Sequence, residues 1–257
     1  MSHKKNNFEV DEDNFFDGAN SMEMLKGFVG SIFCAMLMML DGCSYSDVMR
    51  IPDQLYFPLR VRNYQIYQVN ETDIQHSSCN DNSLPSKSYQ LKVLIYDSLK
   101  NAEGSYTYNI HRYTLPDSTQ AWADLDTWSA RVTTNQVIVN EGNTSYVKLI
   151  FPLTNNSKWN GNQYNNLVEE DYVLKNFNQA YQLSNGKKYT TSLTVEQSDN
   201  QDFFVFQDKR LEVYAASVGL IYKETTQLTY FQDPCYGQQK VKTGIIYAQT
   251  LKTYGRE

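Results

Sequence analysis

Histidine is scarce in this chain, which has three among 257 residues. A Ser-His-Asp triad needs a histidine as its base, and catalytic zinc sites commonly take two or three as ligands. Beyond the N-terminal region only His76 and His111 remain, and His111 lies in an alternating segment where we expect a cross-strand polar residue. The sequence therefore predicts a protein that is not an enzyme, with no catalytic residue, no metal site and no cofactor.

Glycine-rich loops and clusters of basic residues are missing as well. None of the 12 glycines belongs to a loop of the kind that holds a phosphate group. Residues 1–42 carry seven acidic and three basic side chains, so the net charge of −6 for the whole chain leaves −2 for the remainder. A nearly neutral domain without a Lys/Arg cluster predicts that nucleic acid is not a partner.

The one long apolar segment runs from Phe28 to Leu40 and is preceded by Lys26. As a helix its 13 residues would span about 20 Å, which is too short for a hydrocarbon core of about 30 Å. A basic residue, a short apolar region and a small residue before a cleavage point are typical of a secretory signal. The segment ends in Leu-Asp-Gly-Cys, which resembles the bacterial lipobox, where signal peptidase II cleaves before a lipidated cysteine. We therefore predict that Cys43 is lipidated and that residues 1–42 are removed.

Two features depart from a lipoprotein signal. Asp41 stands where a small or apolar residue is usual, and an acidic, polar stretch at residues 2–21 precedes the signal. A start at Met22 or Met24 would remove that stretch. The alternative is a buried apolar helix behind a disordered tail, but the segment has no polar face and no other segment suits it as a helical partner. The predicted domains are a removed extension and signal at 1–42, a lipidated tether at 43–56 and an antiparallel β domain at 57–257.

Cys79 and Cys235 are the cysteines that remain after Cys43, and both lie in polar, turn-like surroundings. An oxidising periplasm and an even number of thiols favour a disulfide between them. Two free thiols are the alternative. A thiol catalyst formed with His76 is less favoured, because no third group accompanies the pair.

Beyond the tether the chain reads almost throughout as strands and turns. Residues 89–96 alternate apolar and polar side chains, and Val137–Asn140 and Tyr146–Phe151 flank a turn with Gly142, which predicts a hairpin. Residues 118–126 are helix-like. Three long strands are expected at residues 210–216, 219–230 and 243–254.

These strands predict a mainly β fold, either a single antiparallel curved sheet or a partly closed β-barrel, with Gly219 permitting a bulge or bend. The chain has 20 tyrosines. Because they fall inside strands rather than in one loop, we attribute them to β-propensity rather than to a sugar-binding surface.

An Asn-rich loop at residues 155–166 contains the best candidate for a ligand site. A tryptophan face can stack on a neutral ligand such as a glycan, and neighbouring amides can bind its hydroxyl groups. The favoured alternative is a long connection whose tryptophan folds back on the sheet. The predicted ligand contacts are Trp159, Asn160, Asn162 and Tyr164.

Short acidic runs supply the competing hypothesis of a glycan hydrolase, which would need two carboxylates facing each other across a cleft. The available carboxylates are Asp124, Asp126, Glu169 and Asp171. Such runs are more often solvated loops. Residues 199–202 could hold calcium, but they lack the glycine and terminal glutamate of an EF-hand.

Three segments resemble uncharacterised lipoproteins of Bacteroidota: Glu212–Glu224, Phe151–Leu153 and Lys158–Asn162. The resemblance covers roughly residues 145–255 and implies a tryptophan loop and a strand pair in a curved antiparallel sheet, without a known reaction. Ser44 resembles the residue that follows the lipidated cysteine in outer-membrane cargo. Residues 44–47 lack the acidity of a surface-export signal, which implies a periplasm-facing position.

Taken together, these features predict a non-catalytic envelope lipoprotein that binds an apolar or glycan ligand or another envelope protein. Its link to the outer membrane would be the N-terminal lipid. A hydrolase and a structural subunit of an outer-membrane complex are the alternatives. A concave face lined by Tyr, Leu and Val would favour binding.

Overall fold

The computed structural model of the protein describes residues 52–117 and 119–257. The predicted signal, Cys43 and most of the predicted tether lie outside the described residues. A short 3-10 helix, Asp53–Tyr56, comes first among the described elements. It is followed by β1 Asn63–Gln75, β2 Ser86–Lys100, β3 Tyr106–Leu115, β4 Ala123–Val132, β5 Gln136–Glu141, β6 Thr144–Ile150, β7 Lys158–Asn160, β8 Asp171–Gln182, β9 Lys188–Asp202, β10 Phe206–Ala215, β11 Gly219–Tyr230 and β12 Val241–Arg256.

All the strands pair antiparallel in one sheet, in the order β6-β5-β4-β3-β2-β1-β12-β11-β10-β9-β8-β7. Two meanders, β1 to β6 and β7 to β12, are therefore joined where β1 pairs with β12. Because strands adjacent in sequence within each meander are adjacent in the sheet, successive connections of a meander alternate between its two ends. The chain enters β1 at one end, called here the entry end. The β1–β2 and β11–β12 connections, which carry Cys79 and Cys235, lie at the other, the disulfide end.

The twelve-stranded sheet is nearly closed into a barrel. Its two edges meet where the Val147 amide of β6 donates to the carbonyl of Gly161, just after β7, at 2.9 Å. The Trp159 indole donates to the Val147 carbonyl at 2.8 Å, and the Asn165 amide to the Ser145 carbonyl at 2.8 Å. Gly161 is required here because a Cβ would run into the Tyr172 ring. The closure covers edges that would otherwise expose unpaired backbone groups.

Strand β10 is covered on both faces. Glu212 and Tyr214 alternate with Val213 and Ala215, and all four are buried. The β8–β9 hairpin lies against β11 and β12: the Asn185 amide donates to the Leu251 carbonyl at 3.0 Å, and the Tyr181 and Tyr222 rings stack at 6.2 Å. This second layer explains why β10 is apolar on the face that turns away from its glutamate.

The prediction of a mainly β protein with a curved, nearly closed antiparallel sheet is confirmed. Strand β11 has the predicted bounds, and β5 and β6 form the predicted hairpin. The helix-like reading of residues 118–126 is wrong at its C-terminal part, because Ala123–Asp126 begin β4 and pair with β3. Pairing between strands outweighs a weak local helix propensity there. Among the described residues, no helix is long and apolar enough to cross a membrane.

Candidate functional site

The barrel contains a cavity of about 110 Å³ that is partly open to the outside, called here the inner cavity. Strands of both meanders line it, and its polarity changes along the barrel. Ile110 lies closer to the entry end than Arg112 on β3, Val139 closer than Glu141 on β5, and Leu220 closer than Lys223 on β11. The cavity is therefore mainly apolar towards the entry end, with Gln65 the exception, and carries its charged groups towards the middle of the barrel. The apolar part includes Val93, Ile95, Ile110, Trp128, Val139 and Leu220.

A buried ion network forms the polar part. Lys148 Nζ lies 2.6 Å from Glu141 Oε1 and 2.9 Å from Glu212 Oε1. Lys223 Nζ lies 3.3 Å from the same Glu212 oxygen, and the Tyr214 hydroxyl donates to Glu212 Oε2 at 2.5 Å. The Lys148 side chain is 6% exposed and that of Glu212 is 2% exposed. Charges so deeply buried are tolerated because each one has a partner of opposite sign.

The network keeps Glu141, Glu212 and Lys148 ionised. Burial alone would raise the pKa of Glu212, but Lys148 and Lys223 outweigh it and lower that pKa to about 2. The same two cations lower the pKa of Glu141 against the effect of burial. Burial would lower the pKa of Lys148, but Glu141 and Glu212 raise it above its ordinary value. None of the three is suited to exchange a proton at neutral pH.

Arg112 is a third cation at the inner cavity. Its guanidinium lies 3.7 Å from the centroid of the Trp128 ring, and its Nη1 donates to Asp126 Oδ2 at 3.1 Å. Its Nε is buried and has no hydrogen-bond partner among the described residues. Arg112 therefore holds the Trp128 ring in place at the cavity wall.

The entry segment, defined here as Phe57, Pro58 and Leu59, lies between the inner cavity and a surface groove of about 420 Å³. Its three residues line both spaces. Pro58 lines a third, smaller cavity of about 40 Å³ as well. The Phe57 ring packs 5.9 Å from that of Tyr214. Gly219 has φ +91°, and a Cβ on it would lie 3.3 Å from Pro58 Cδ, so glycine lets the segment approach β11 closely. Three cavities thus meet at one proline.

The Trp159 loop lies at the closure of the barrel. Trp159 is 7% exposed and folds back on the sheet, as the favoured alternative predicts. Asn160 Oδ1 accepts from the Asn162 amide at 2.8 Å, the Asn162 side chain donates to the Val168 carbonyl at 2.6 Å, and Gln136 donates to the Tyr164 hydroxyl at 2.6 Å. None of the four lines any of the three cavities described above. A glycan site at this loop stays a prediction.

The carboxylates of the hydrolase hypothesis lie away from these cavities. Asp124, Glu169 and Asp171 are exposed, and Asp126 is paired with Arg112. None of the four lines a described cavity. Residues 199–202 lie in β9 rather than in a loop, and the described residues contain no group of acidic, histidine or cysteine side chains that could hold a metal ion.

Cys79 and Cys235 form a disulfide, as predicted, with their Cα atoms 6.4 Å apart. The nearby His76 places Nδ1 2.9 Å from the Val241 carbonyl and Nε2 2.7 Å from the Ser83 carbonyl. Hydrogen bonds to those carbonyls, with Ser83 the stronger influence, raise the pKa of His76. With its thiol in a disulfide, Cys79 cannot act as a nucleophile beside His76. The cysteines have a structural role.

Exposed apolar residues gather at the disulfide end. The β9–β10 turn presents Phe203, Phe204 and Val205, which are 45%, 55% and 40% exposed. Tyr236, 60% exposed, stacks on Phe204 with ring centroids 5.7 Å apart. A cluster of exposed apolar side chains of this kind is typical of an interaction site.

No family model matches the chain, and no curated protein matches it. A solved structure of a candidate exported protein with a YmcC-like fold from Bacteroides fragilis NCTC 9343 is similar to it, with a TM-score of 0.41 and 9% identity. That similarity covers 78% of this chain and 98% of the other. The function proposed below therefore rests on the geometry of the barrel interior.

The sequence reasoning missed the inner cavity and its ion network. A signal was present, because Lys148 and Glu212 each interrupt an otherwise apolar strand, at Tyr146–Phe151 and at Leu211–Ala216. A charge in such a strand needs a partner of opposite sign. Which residues would be partners depends on barrel closure, which brings β6 and β10 to the same interior from separate meanders.

Proposed function

We propose that this protein is a non-catalytic binding protein of a bacterial cell envelope that holds a small apolar molecule in its barrel interior. The observation that carries the proposal is the inner cavity, whose wall towards the entry end is formed by Ile95, Ile110 and Trp128. Ligand sites are typically concave and mostly apolar, with a few polar groups. An engineered apolar cavity of about 150 Å³ takes up benzene. The inner cavity, about 110 Å³, is somewhat smaller and suits at most one ring or a few methylenes.

The electrostatics disfavour a glycan hydrolase. Glu141 Oε1 and Glu212 Oε1 lie 2.6 Å and 2.9 Å from Lys148 Nζ, so these two oxygens are at most about 5.5 Å apart, which is compatible with the roughly 5 Å pair of a retaining glycosidase. However, the lysine stands between them and lowers the pKa of both. A glycosidase needs one carboxyl group with a raised pKa to act as its acid. The pair is better suited to stabilise the barrel than to cleave a glycosidic bond.

The proposed location follows from the disulfide and the N-terminal segment. Disulfides persist in oxidising compartments such as the bacterial periplasm, and Cys79–Cys235 fits that setting. With the signal predicted at residues 1–42, this supports export. We infer that a lipid on Cys43 attaches the protein to the outer membrane, facing the periplasm.

Benzene binding to the full-length protein tests the proposed function. Ile95→Phe should fill part of the inner cavity and weaken benzene binding at least tenfold, measured by chemical-shift titration. Leu94→Phe is the matched control, because Leu94 directly precedes Ile95 in β2, is 7% exposed against 8% for Ile95, and lines none of the three cavities. Thermal unfolding of both variants checks that they fold. Equal binding by the two variants, or none by the wild type, would overturn the proposal.

A second candidate function, assembly with another envelope protein, is favoured by the exposed patch of Phe203, Phe204, Val205 and Tyr236. If it operates, Phe203→Ser with Phe204→Ser should reduce the size of the complex extracted from the membrane. Leu99→Ser with Tyr96→Ser, two exposed residues nearer the entry end that line none of the three cavities, should leave it unchanged. An unaltered size in both variants would exclude this role for the patch.

A further inference from the structure

The entry segment separates the small inner cavity from the larger surface groove. The inner cavity, about 110 Å³, is smaller than the roughly 300–1,000 Å³ of most small-molecule sites, whereas the surface groove, about 420 Å³, lies within that range. Phe57, Pro58 and Leu59 line both. A modest displacement of three residues would therefore join them into one elongated site.

The entry segment is held mainly by side-chain packing. Its first residue is held by a backbone hydrogen bond from the Phe57 amide to the Gln54 carbonyl at 3.1 Å, and the next one, from the Asn63 amide to the Arg60 carbonyl at 3.0 Å, lies beyond the segment. Pro58 has no N–H to donate. The segment belongs to no strand, so its movement would leave the ladder of the sheet intact.

In the described part of the chain, unpaired and paired charged groups lie at opposite ends of the joined site. Arg60 is exposed and is the one charged residue among the described residues that line the groove. At the inner end, Lys148 binds Glu141 and shares Glu212 with Lys223, and Arg112 binds Asp126 through Nη1. A ligand anion would therefore gain more from Arg60 than from the inner cations, which are already paired. The apolar walls between these ends suit a hydrocarbon chain.

We propose that the groove and the inner cavity form one site for a single-chain amphiphile with an anionic head group. The head lies at Arg60, the acyl chain passes the entry segment, and its terminal methyl reaches Trp128. This inference rests on the proposed function and names its ligand class.

Two bromo-fatty acids test the position of the chain in the full-length protein. Bromine quenches tryptophan fluorescence on contact, and Trp128 lines the inner cavity. 11-Bromoundecanoate, with bromine at the tail, should quench Trp128 strongly, and 2-bromoundecanoate, with bromine beside the head, should not. The same titrations on Trp128→Phe give the contribution of Trp122 and Trp159, which is subtracted.

The head group is tested with laurate and the neutral dodecanol. Arg60→Gln should weaken laurate binding about tenfold through loss of a charged hydrogen bond and leave dodecanol binding unchanged. Arg62→Gln, which alters a nearby arginine that lines none of the three cavities, should change neither. Lysophosphatidate in the same assay distinguishes a phosphate-headed lipid from a free fatty acid.

The outcomes separate this inference from the function on which it rests. Quenching by the tail bromine with loss of laurate affinity in Arg60→Gln supports the elongated site. If benzene binds but both bromo acids quench equally or not at all, the elongated site is wrong and the proposed function stands. If neither benzene nor any acid binds, both are wrong.

Discussion

At the scale of single residues, Lys148 is the side chain on which the barrel interior most depends. Lys148→Met should lower the free energy of unfolding by about 3–5 kcal/mol, because it leaves Glu141 and Glu212 buried without their shared cation. Lys175→Met is the matched control: Lys175 pairs with Glu196 but is 42% exposed, so its loss should cost less than about 1 kcal/mol. Urea denaturation measures both. Similar costs for the two variants would contradict a buried, coupled network.

The same residues predict a pH dependence of stability. The pKa of Glu212 is lowered from 4.5 to about 2, so its stabilising effect is fully present above 4.5 and is lost as pH falls through 2. The pKa of Glu141 is lowered as well, whereas that of Lys148 is raised from 10.5, so the contribution of the lysine disappears only above that pH. The free energy of unfolding should therefore fall between about pH 4.5 and pH 2.

Urea denaturation across that range measures the effect. A triple variant with Lys148→Met, Glu141→Gln and Glu212→Gln should lose less free energy of unfolding over this pH range. Only the other carboxylates of the protein then contribute to the decrease. An identical slope in wild type and triple variant would show that these carboxylates titrate as they do in the unfolded chain.

At the scale of elements, the disulfide joins the β1–β2 and β11–β12 connections across 156 residues of sequence. In the chain-entropy model, closing so long a loop stabilises the folded state by about 5 kcal/mol. Cys79→Ser with Cys235→Ser should lower the free energy of unfolding by up to that amount, measured by urea denaturation. A reductant should destabilise the wild type similarly and leave the double variant unchanged. No difference between oxidised and reduced wild type would contradict the prediction.

Elements with local signals could be predicted from the sequence, and those set by distant pairing could not. The hairpin of β5 and β6 follows from two apolar runs around Gly142, and β11 from its many β-branched and aromatic residues. The prediction for the start of β4 was wrong, because its acidic residues form a strand only when β3 lies beside them. The composition of the Trp159 loop resembled that of a ligand site. In the structure its amide side chains instead form hydrogen bonds within the chain near the closure of the barrel.

At the scale of the whole molecule, the inner cavity was the least predictable feature. Its lining comes from strands of both meanders and from the entry segment, so no local spacing of residues indicates it. A concave apolar face was nevertheless predictable, because alternating strands in a curved sheet place every second side chain inside. The sequence therefore anticipated a curved sheet with a concave interior and missed the residues that line its cavity.

The location in the cell envelope is a property of the whole molecule. We predict that Cys43 carries the lipid, so cells fed a fatty-acid analogue should label the wild type. Cys43→Ser should take up no label and remain uncleaved by signal peptidase II, whereas Cys34→Ser should be labelled and cleaved normally. An unlabelled wild type would remove the proposed membrane attachment.

Native mass spectrometry of the protein extracted gently from its own membrane tests the central claim, a ligand held in the barrel interior, most directly. The account predicts an extra mass of one small molecule that is retained by the wild type and by Leu94→Phe and is lost from Ile95→Phe. A wild-type protein that emerges empty, and stays empty when benzene and laurate are added, would contradict it.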